Sequence, residues 1–148
     1  MGNIFSEDKK SPYAKAYYKF IGLSNSLEIR IKQALKAYGI THAQLNVLYH
    51  LAKISPASIN PGELKNKLIV SNPDLTRLVD RMVEKELVHR QTCPDNRRKV
   101  DLQITEKGLA VFQSAHAVAK KSVNNFFEDD ISLEEARQFS SLLNKIDI

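Results

Sequence analysis

The stretch from Ser71 to Thr105 constrains the fold most strongly, because the spacing of its apolar residues changes from one period to another. In its first part these residues recur every three or four positions, the spacing of a half-buried helix: Leu75, Leu78, Val79, Met82 and Val83. An extended segment from Leu87 to Pro94 follows, and after a polar turn the apolar residues alternate as they do in a strand: Val100, Leu102 and Ile104. A helix followed by two strands with a basic turn between them is the order of a winged helix.

The polar residues of this stretch predict where the helix begins and what the turn contacts. Ser71 or Asn72 can cap the helix, and Pro73 fits its first turn, where a missing N–H costs nothing. The turn from Pro94 to Arg98 is basic, since four positive residues stand against one carboxylate between positions 90 and 99. Such a turn is a poor core element and a good contact for phosphate.

The rest of the chain is predicted to form helices that are joined by short connections. A long helical pattern begins at Tyr13 and ends before Gly39, the expected C′ residue. Start signals then recur along the chain as capping residues, some followed by proline or by a capping-box partner: Thr41 with Gln44, Asn60 with Pro61, Thr105, and Ser132 with Glu135. Ala57 to Ile59 is a candidate for a short third strand. The second and third helices are expected to bury one apolar side each: Leu45, Leu48, Tyr49 and Ala52, then Leu64, Leu68 and Ile69.

These elements predict a mainly α fold in a single domain, residues 1–148. A winged helix-turn-helix with a small two- or three-stranded wing sheet is expected at residues 39–107, and a dimerisation lobe of long helices at residues 12–38 and 108–148. The first and last helices have apolar faces wider than one small winged helix could cover. We therefore expect a second copy of the chain to bury them in a homodimer.

Composition narrows the function classes. The net charge of +5 and the basic turn permit nucleic-acid binding. No apolar run approaches the roughly 20 residues of a membrane span, and the single cysteine, Cys93, cannot form an internal disulfide, so a cytoplasmic protein is expected. Paired carboxylates in an apolar setting, a Ser/Cys–His arrangement and a phosphate-binding glycine loop are all absent from the sequence, so we expect neither an enzyme nor a cofactor. The four histidines form no metal-binding pattern, and we do not expect Glu28, His42 and His116 to converge.

The motifs resemble those of the MarR (multiple antibiotic resistance regulator) family of transcription factors over nearly the whole chain. The specific part is the run from Leu75 to Arg90, followed by the wing and by residues 104–108, which match the family's Leu-Thr-x-x-Gly step. Two residues depart from the family pattern. Glu86 stands where the family has glycine after its recognition helix, so it either adopts a left-handed conformation or the helix ends differently. Asn96 stands at the aspartate of the wing's Asp-x-Arg motif, which leaves an Asn–Arg brace with Arg98, unless the neighbouring Asp95 substitutes.

The resemblance implies a homodimer that binds double-stranded DNA with the recognition helix in the major groove. The residues expected to face base edges are Ser71, Asn72, Asp74, Thr76, Arg77 and Arg81. The wing residues expected in the minor groove are Asn96, Arg97, Arg98 and Lys99, and those expected on phosphate are Lys65 and Lys67. Arg77 is the best candidate for a guanine contact. In the alternative interpretation, Arg77 and Arg81 only pair with carboxylates of their own helix: Asp74, Asp80 or Glu84.

For function, the resemblance implies a ligand-responsive repressor or activator that acts on a near-palindromic operator. A repressor that is relieved by a small aromatic or phenolic effector is the leading expectation. Tyr17, Tyr49 and His42 are the residues expected to line the effector pocket. The alternative function is a winged-helix module for protein–protein contact. That module would present an uncharged, apolar recognition face, which Arg77, Arg81 and the Arg97–Lys99 run argue against.

Overall fold

The computed structural model describes residues 11–69 and 74–147, apart from the side chains of Cys93 and Arg97. Six α-helices and a two-stranded antiparallel sheet follow one another in the order α1 (Pro12–Leu35), α2 (His42–Ile54), α3 (Pro61–Lys67), α4 (Leu75–Glu84), β1 (Val88–Cys93), β2 (Asn96–Ile104), α5 (Glu106–Glu128) and α6 (Leu133–Leu143). A short 3₁₀ turn, Lys36–Tyr38, extends α1. The predicted mainly α, winged helix-turn-helix class is confirmed. Among the helices in the described ranges, none has the length and apolar character needed to cross a membrane.

Most helix starts lie where the capping residues predicted them. Gly39 has the left-handed φ of 63° expected after the end of the first helical stretch. Each predicted cap oxygen accepts a backbone N–H three residues further on: Thr41 from Gln44, Asn60 from Glu63, Thr105 from Gly108, and Ser132 from Glu135. Both capping boxes are complete. These starts are therefore fixed by local hydrogen bonds.

The start of α4 differs from the prediction. Asp74, rather than Ser71 or Asn72, is the N-cap, and its carboxylate accepts the N–H of Arg77 at 3.0 Å. Ser71, Asn72 and Pro73 lie outside the described residues. Aspartate caps a helix about as well as serine or asparagine, and its negative charge also favours the helix N-terminus.

The end of α4 shows how Glu86 occupies the position where a glycine was expected. Glu86 adopts the left-handed conformation, with φ of 59°. Its N–H donates to the carbonyl of Val83 at 2.9 Å, and the N–H of Leu87 donates to the carbonyl of Met82 at 2.9 Å. These two bonds form a Schellman motif, the usual end of a helix before a left-handed residue. Of the two alternatives for Glu86, the left-handed one is the one found.

The hairpin has a shorter turn than predicted. Val88 pairs with Ile104, and the register continues to Thr92 opposite Val100; then Cys93 pairs with Asn96. The turn therefore contains Pro94 and Asp95 alone, and the expectation of a five-residue turn is wrong. Three basic positions, 97–99, are left on β2 without partners on β1, because the register shifts between Thr92 and Cys93. The predicted third strand is reduced to one bridge, in which Ile59 and Leu102 exchange two backbone hydrogen bonds of 3.0 and 2.8 Å.

One core joins α2, α3, α4, the hairpin and α5. Its fully buried side chains come from all the central elements: Leu48, Leu51, Leu64, Met82, Val88 and Leu102. Two residues predicted to be buried are not. Tyr49 is 38% exposed, although its ring contacts Phe112 and His116 of α5. Ile69 is 86% exposed because it follows the end of α3.

The ends of the chain leave apolar surface uncovered. Helix α6 has no buried residue, and the N-terminal half of α1 exposes several large side chains. Together the two helices form a groove of about 700 Å³, whose lining is almost entirely apolar: Tyr13, Ala16, Tyr17, Lys19, Phe20, Leu23, Phe139, Leu143 and Ile146. A face of this kind is unfavourable in water unless something packs on it.

Gly108 lies at the junction of α4, the hairpin and α5. A Cβ added there would lie 2.1 Å from the carbonyl oxygen of Leu87 and 2.9 Å from a side-chain carbon of Ile104. We expect Gly108→Ala to lower the free energy of unfolding by about 1–3 kcal/mol, because the added methyl group forces packed backbone apart. Chemical denaturation measures the change.

Gly22→Ala is the matched control, because a Cβ at this helical glycine would meet nothing within 4 Å. Alanine in a helix interior stabilises by up to about 1 kcal/mol relative to glycine. A free energy of unfolding for Gly108→Ala equal to that of the unmodified chain would contradict a closed junction.

Candidate nucleic-acid interface

Helix α4 separates an anchoring side from a basic exposed side. Leu78, Val79 and Met82 are buried against the core. Leu75 is also buried, at 8% exposure, so it belongs to the core and does not face solvent. The side chains on the opposite face are exposed: Thr76, Arg77 and Arg81. The helix thus presents two arginines from a backbone that cannot easily shift.

Two of the three carboxylates near these arginines, Asp74 and Asp80, have other partners. Asp80 forms an ion pair with Arg90 of β1, and the Asp74 carboxylate caps the helix. In the part of the chain that the structure describes, neither Arg77 nor Arg81 belongs to an ion pair. The alternative in which both arginines are neutralised by their own helix is therefore not what the structure shows.

The basic positions of the wing project from the irregular part of β2. Arg98 and Lys99 are exposed, and they lie where the register shift leaves β2 without partners. The side-chain oxygen of Asn96 accepts the backbone N–H of Arg98 at 3.1 Å. Asn96 therefore contacts the backbone of Arg98 and not its guanidinium, and the side chain of Arg98 is exposed.

Helix α3 adds further positive charge beside α4. Lys65 and Lys67 are exposed, and α3 contacts both α4 and β2. Burial lowers the pKa of His50, and the charges of Lys67 and Lys53 lower it further. Its Nε2 atom is buried and has no hydrogen-bond partner among the described residues. His50 is therefore neutral near pH 7, and the local positive charge comes from lysine.

The predicted contact residues thus fall into three neighbouring groups. Thr76, Arg77 and Arg81 lie on α4, with Asp74 at its cap. The other two groups are Lys65 with Lys67 on α3, and Asn96 to Lys99 on the hairpin. Helices α3 and α4 and the hairpin contact one another, so one part of the fold carries all three groups. Ser71 and Asn72 cannot be assigned, since they lie outside the described residues.

A separate pocket of about 330 Å³ lies between α1, α2 and α5. Its lining mixes apolar, aromatic and polar groups: Ile31, His42, Leu45, Asn46, Tyr49, Ile69, His116, Ala119, Lys120, Val123 and Asn124. The rings of Tyr49 and His116 stack at 6.0 Å, and Nδ1 of His42 lies 2.7 Å from a carboxylate oxygen of Glu28.

The pocket corrects several expectations. It brings Tyr49 and His42 together, but Tyr17 lies in the separate groove between α1 and α6. Glu28 does meet His42, and His116 lines the same pocket, so these residues are closer than expected. Even so, the described histidine, cysteine and acidic residues form no group of three suited to a metal ion. Three further lining residues were not predicted from sequence, because their only signal is helical spacing toward this side: Asn46, Lys120 and Asn124.

Comparison with known proteins places these features in a family. Residues 40–100 match the model of the MarR family. The multiple antibiotic resistance protein MarR of Escherichia coli (strain K12) is 30% identical over 116 residues, which covers 78% of this chain and 79% of that protein.

Solved structures agree in fold. A mutant E. coli MarR complexed with operator DNA has a TM-score of 0.77 and 26% identity, and the match covers 97% of this chain and 98% of that one. The S. aureus MepR protein in a complex with DNA has a TM-score of 0.76 and 19% identity, and the match covers 87% of this chain and 93% of that one. An organohalide-sensing transcriptional regulator in its 2,4-dichlorophenol-bound form has a TM-score of 0.84 and 17% identity, and the match covers 98% of this chain and 87% of that one. The last two show the fold alone.

Proposed function

The chain belongs to the MarR family of transcriptional regulators, and from this premise we propose that it is a repressor that binds a near-palindromic operator as a homodimer. Residues 39–107 form its DNA-binding lobe, and residues 12–38 and 108–148 form its dimerisation lobe. The observation that carries the proposal is the pair of exposed arginines on α4, Arg77 and Arg81. They project from a helix whose other side is buried, and the nearby carboxylate of Asp80 is engaged by Arg90.

This arrangement supports sequence reading in the major groove. An arginine can donate two parallel hydrogen bonds to O6 and N7 of guanine, which discriminates against other bases. Arg77 lies at the third position of α4, near the N-terminal end that a recognition helix presents to base edges. A protein-binding module would gain little from a face that carries two exposed arginines, so the alternative function is not favoured.

The other basic groups support contact with the DNA backbone. Lys65 and Lys67 on α3 are placed to hold phosphates, which fixes register without specifying sequence. The run from Arg97 to Lys99 on the hairpin suits the minor groove, where the negative potential attracts arginine and lysine. Base contacts therefore come from α4, and most of the affinity comes from its neighbours.

The apolar groove between α1 and α6 supports the homodimer. Phe20 is 49% exposed and Ile146 61% exposed in the single chain, although both are large and apolar. A second copy provides the same groove by symmetry, and an isologous interface lets each protomer cover the other. Two α4 helices related by a twofold axis require two half-sites in inverted orientation, hence a near-palindromic operator.

The pocket between α1, α2 and α5 supports relief by an aromatic or phenolic effector. Tyr49 and His116 offer stacked rings, and the ammonium group of Lys120 attracts a phenolate or carboxylate. The pocket also touches Ile69, which lies just before the segment that leads into α4. A ligand bound here therefore contacts both lobes and can favour an arrangement that no longer fits the operator.

The substitution Arg77→Ala tests whether the side chain of Arg77 recognises a specific base pair. We expect the variant to lose about 1–3 kcal/mol of binding on the best site and to relax preference at one base pair. Lys65→Ala is the matched control, since a phosphate contact should weaken specific and random DNA alike. The measurement is binding of both variants to the best duplex, to its single-base variants and to random duplex. An equal loss on all sequences for Arg77→Ala would make Arg77 a phosphate contact.

Lys120→Ala tests the pocket, with 2,4-dichlorophenol as the probe. The unmodified protein should release its operator as the probe is added. The variant should need up to about fivefold more probe, because it lacks the partly exposed charge that attracts the phenolate. Lys121→Ala is the control, because Lys121 is the next residue along α5 and lines a different surface groove. If both lysine variants respond alike, the pocket is not where the probe acts.

A further inference from the structure

The backbone of Ile69, shortly before α4 in the chain, is held by a side chain of α2. The backbone N–H of Ile69 donates to Oδ1 of Asn46 at 3.0 Å, across 23 residues of sequence. The side chain of Ile69 is 86% exposed, so packing does little to hold this position. The hydrogen bond therefore fixes the Ile69 amide directly, next to Leu68, whose side chain packs against the core.

The face of α2 that carries Asn46 also meets the end of α3. His50 lies one helical turn beyond Asn46, on the same side of α2. Its pKa is lowered by burial and by the nearby charge of Lys67, the last residue of α3. Two consecutive turns of α2 thus lie against the stretch Lys67–Ile69, and Asn46 supplies the hydrogen bond closest to α4.

The chain between Ile69 and Asp74 is short, so the position of Ile69 limits where α4 can begin. Four residues separate the Asn46–Ile69 bond from the carboxylate that caps α4. A change in the backbone position of Ile69 alters the point from which the chain reaches the first turn of α4, where Arg77 lies. Phosphate contacts tolerate such a shift better than a bidentate base contact, whose geometry is narrow.

We infer that Asn46 is a positioning residue for DNA recognition: its side-chain oxygen fixes the backbone at Ile69, shortly before α4 in the chain, and thereby supports base discrimination more than overall affinity. The inference rests on the proposed function, since it concerns how α4 is presented to DNA. Asn46 itself is half-buried beneath the helix-turn-helix and is not assigned a contact with DNA.

Two substitutions separate the hydrogen bond from the volume of the side chain. Asn46→Leu keeps the size and removes the acceptor, whereas Asn46→Asp keeps an acceptor oxygen in the same place. Asn125→Leu is the control, an asparagine on α5 outside this contact. The first readout is the ratio of affinities for the selected duplex and for random duplex, which cancels any general effect of the aspartate charge. The second is the hydrogen-exchange rate of the Ile69 amide.

We expect Asn46→Leu to lower the affinity ratio about 3- to 10-fold, the effect of losing one net hydrogen bond, and to speed exchange at Ile69. Asn46→Asp should restore both quantities, and Asn125→Leu should change neither. Where leucine disturbs packing, Asn46→Ala removes the same acceptor without added bulk and should give the same result.

An unchanged ratio in Asn46→Leu and Asn46→Ala would overturn the inference, as would an aspartate variant that behaves like the leucine one. Failure of the proposed function looks different. In that case the unmodified protein itself would show no preference for any duplex, while exchange at Ile69 would still show whether Asn46 holds this backbone.

Discussion

The rest of the structure depends on the junction where α4 ends, the hairpin begins and α5 starts. The carbonyl of Glu86 accepts the hydroxyl of Thr105 at 2.7 Å, and the carbonyl of Leu87 accepts the Thr105 N–H at 3.1 Å. The same hydroxyl caps α5 at Gly108, whose missing Cβ lets the helix approach Leu87. Thr105 thus forms hydrogen bonds to the end of α4, to the start of the hairpin and to the first turn of α5. These bonds fix α4 and the wing to α5. Helix α5 in turn packs along α1, so α4 and the wing are linked through α5 to α1, where we propose that the partner protomer packs.

The parts of the fold that were predictable from sequence are those fixed by neighbours in the chain. Caps such as Asn60 and Ser132 bond to an N–H three residues away, so their spacing reveals them. The cap of α4 was missed because several capping residue types stand side by side before it, and sequence does not say which one faces the helix. The turn of the hairpin was predicted too long because its register depends on pairing between strands. A basic run looks the same in a turn and in an unpaired stretch of strand.

The candidate interface was easier to predict than the pocket. Exposed arginines on a helix with an apolar opposite side follow from periodicity alone, and α4 carries Arg77 and Arg81 where that pattern indicates. By contrast, the link between Asp80 and Arg90 and the hydrogen bond from Ile69 to Asn46 depend on tertiary placement. The same reason explains why Tyr17 was grouped with Tyr49. Both are aromatic residues on apolar helix faces, and only the packing of α1 against its neighbours separates them.

The central claim is that two copies of α4, fixed by a dimer, read an inverted repeat. Selection of bound sites from random duplex DNA, followed by light scattering of the protein alone and bound to the selected duplex, tests it most directly. We expect enrichment of two inverted half-sites about one helical turn apart. We also expect a protein mass of twice 16.8 kDa, both free and bound. A selected site with one half only, bound tightly by a single chain, or no enrichment at all, would contradict it.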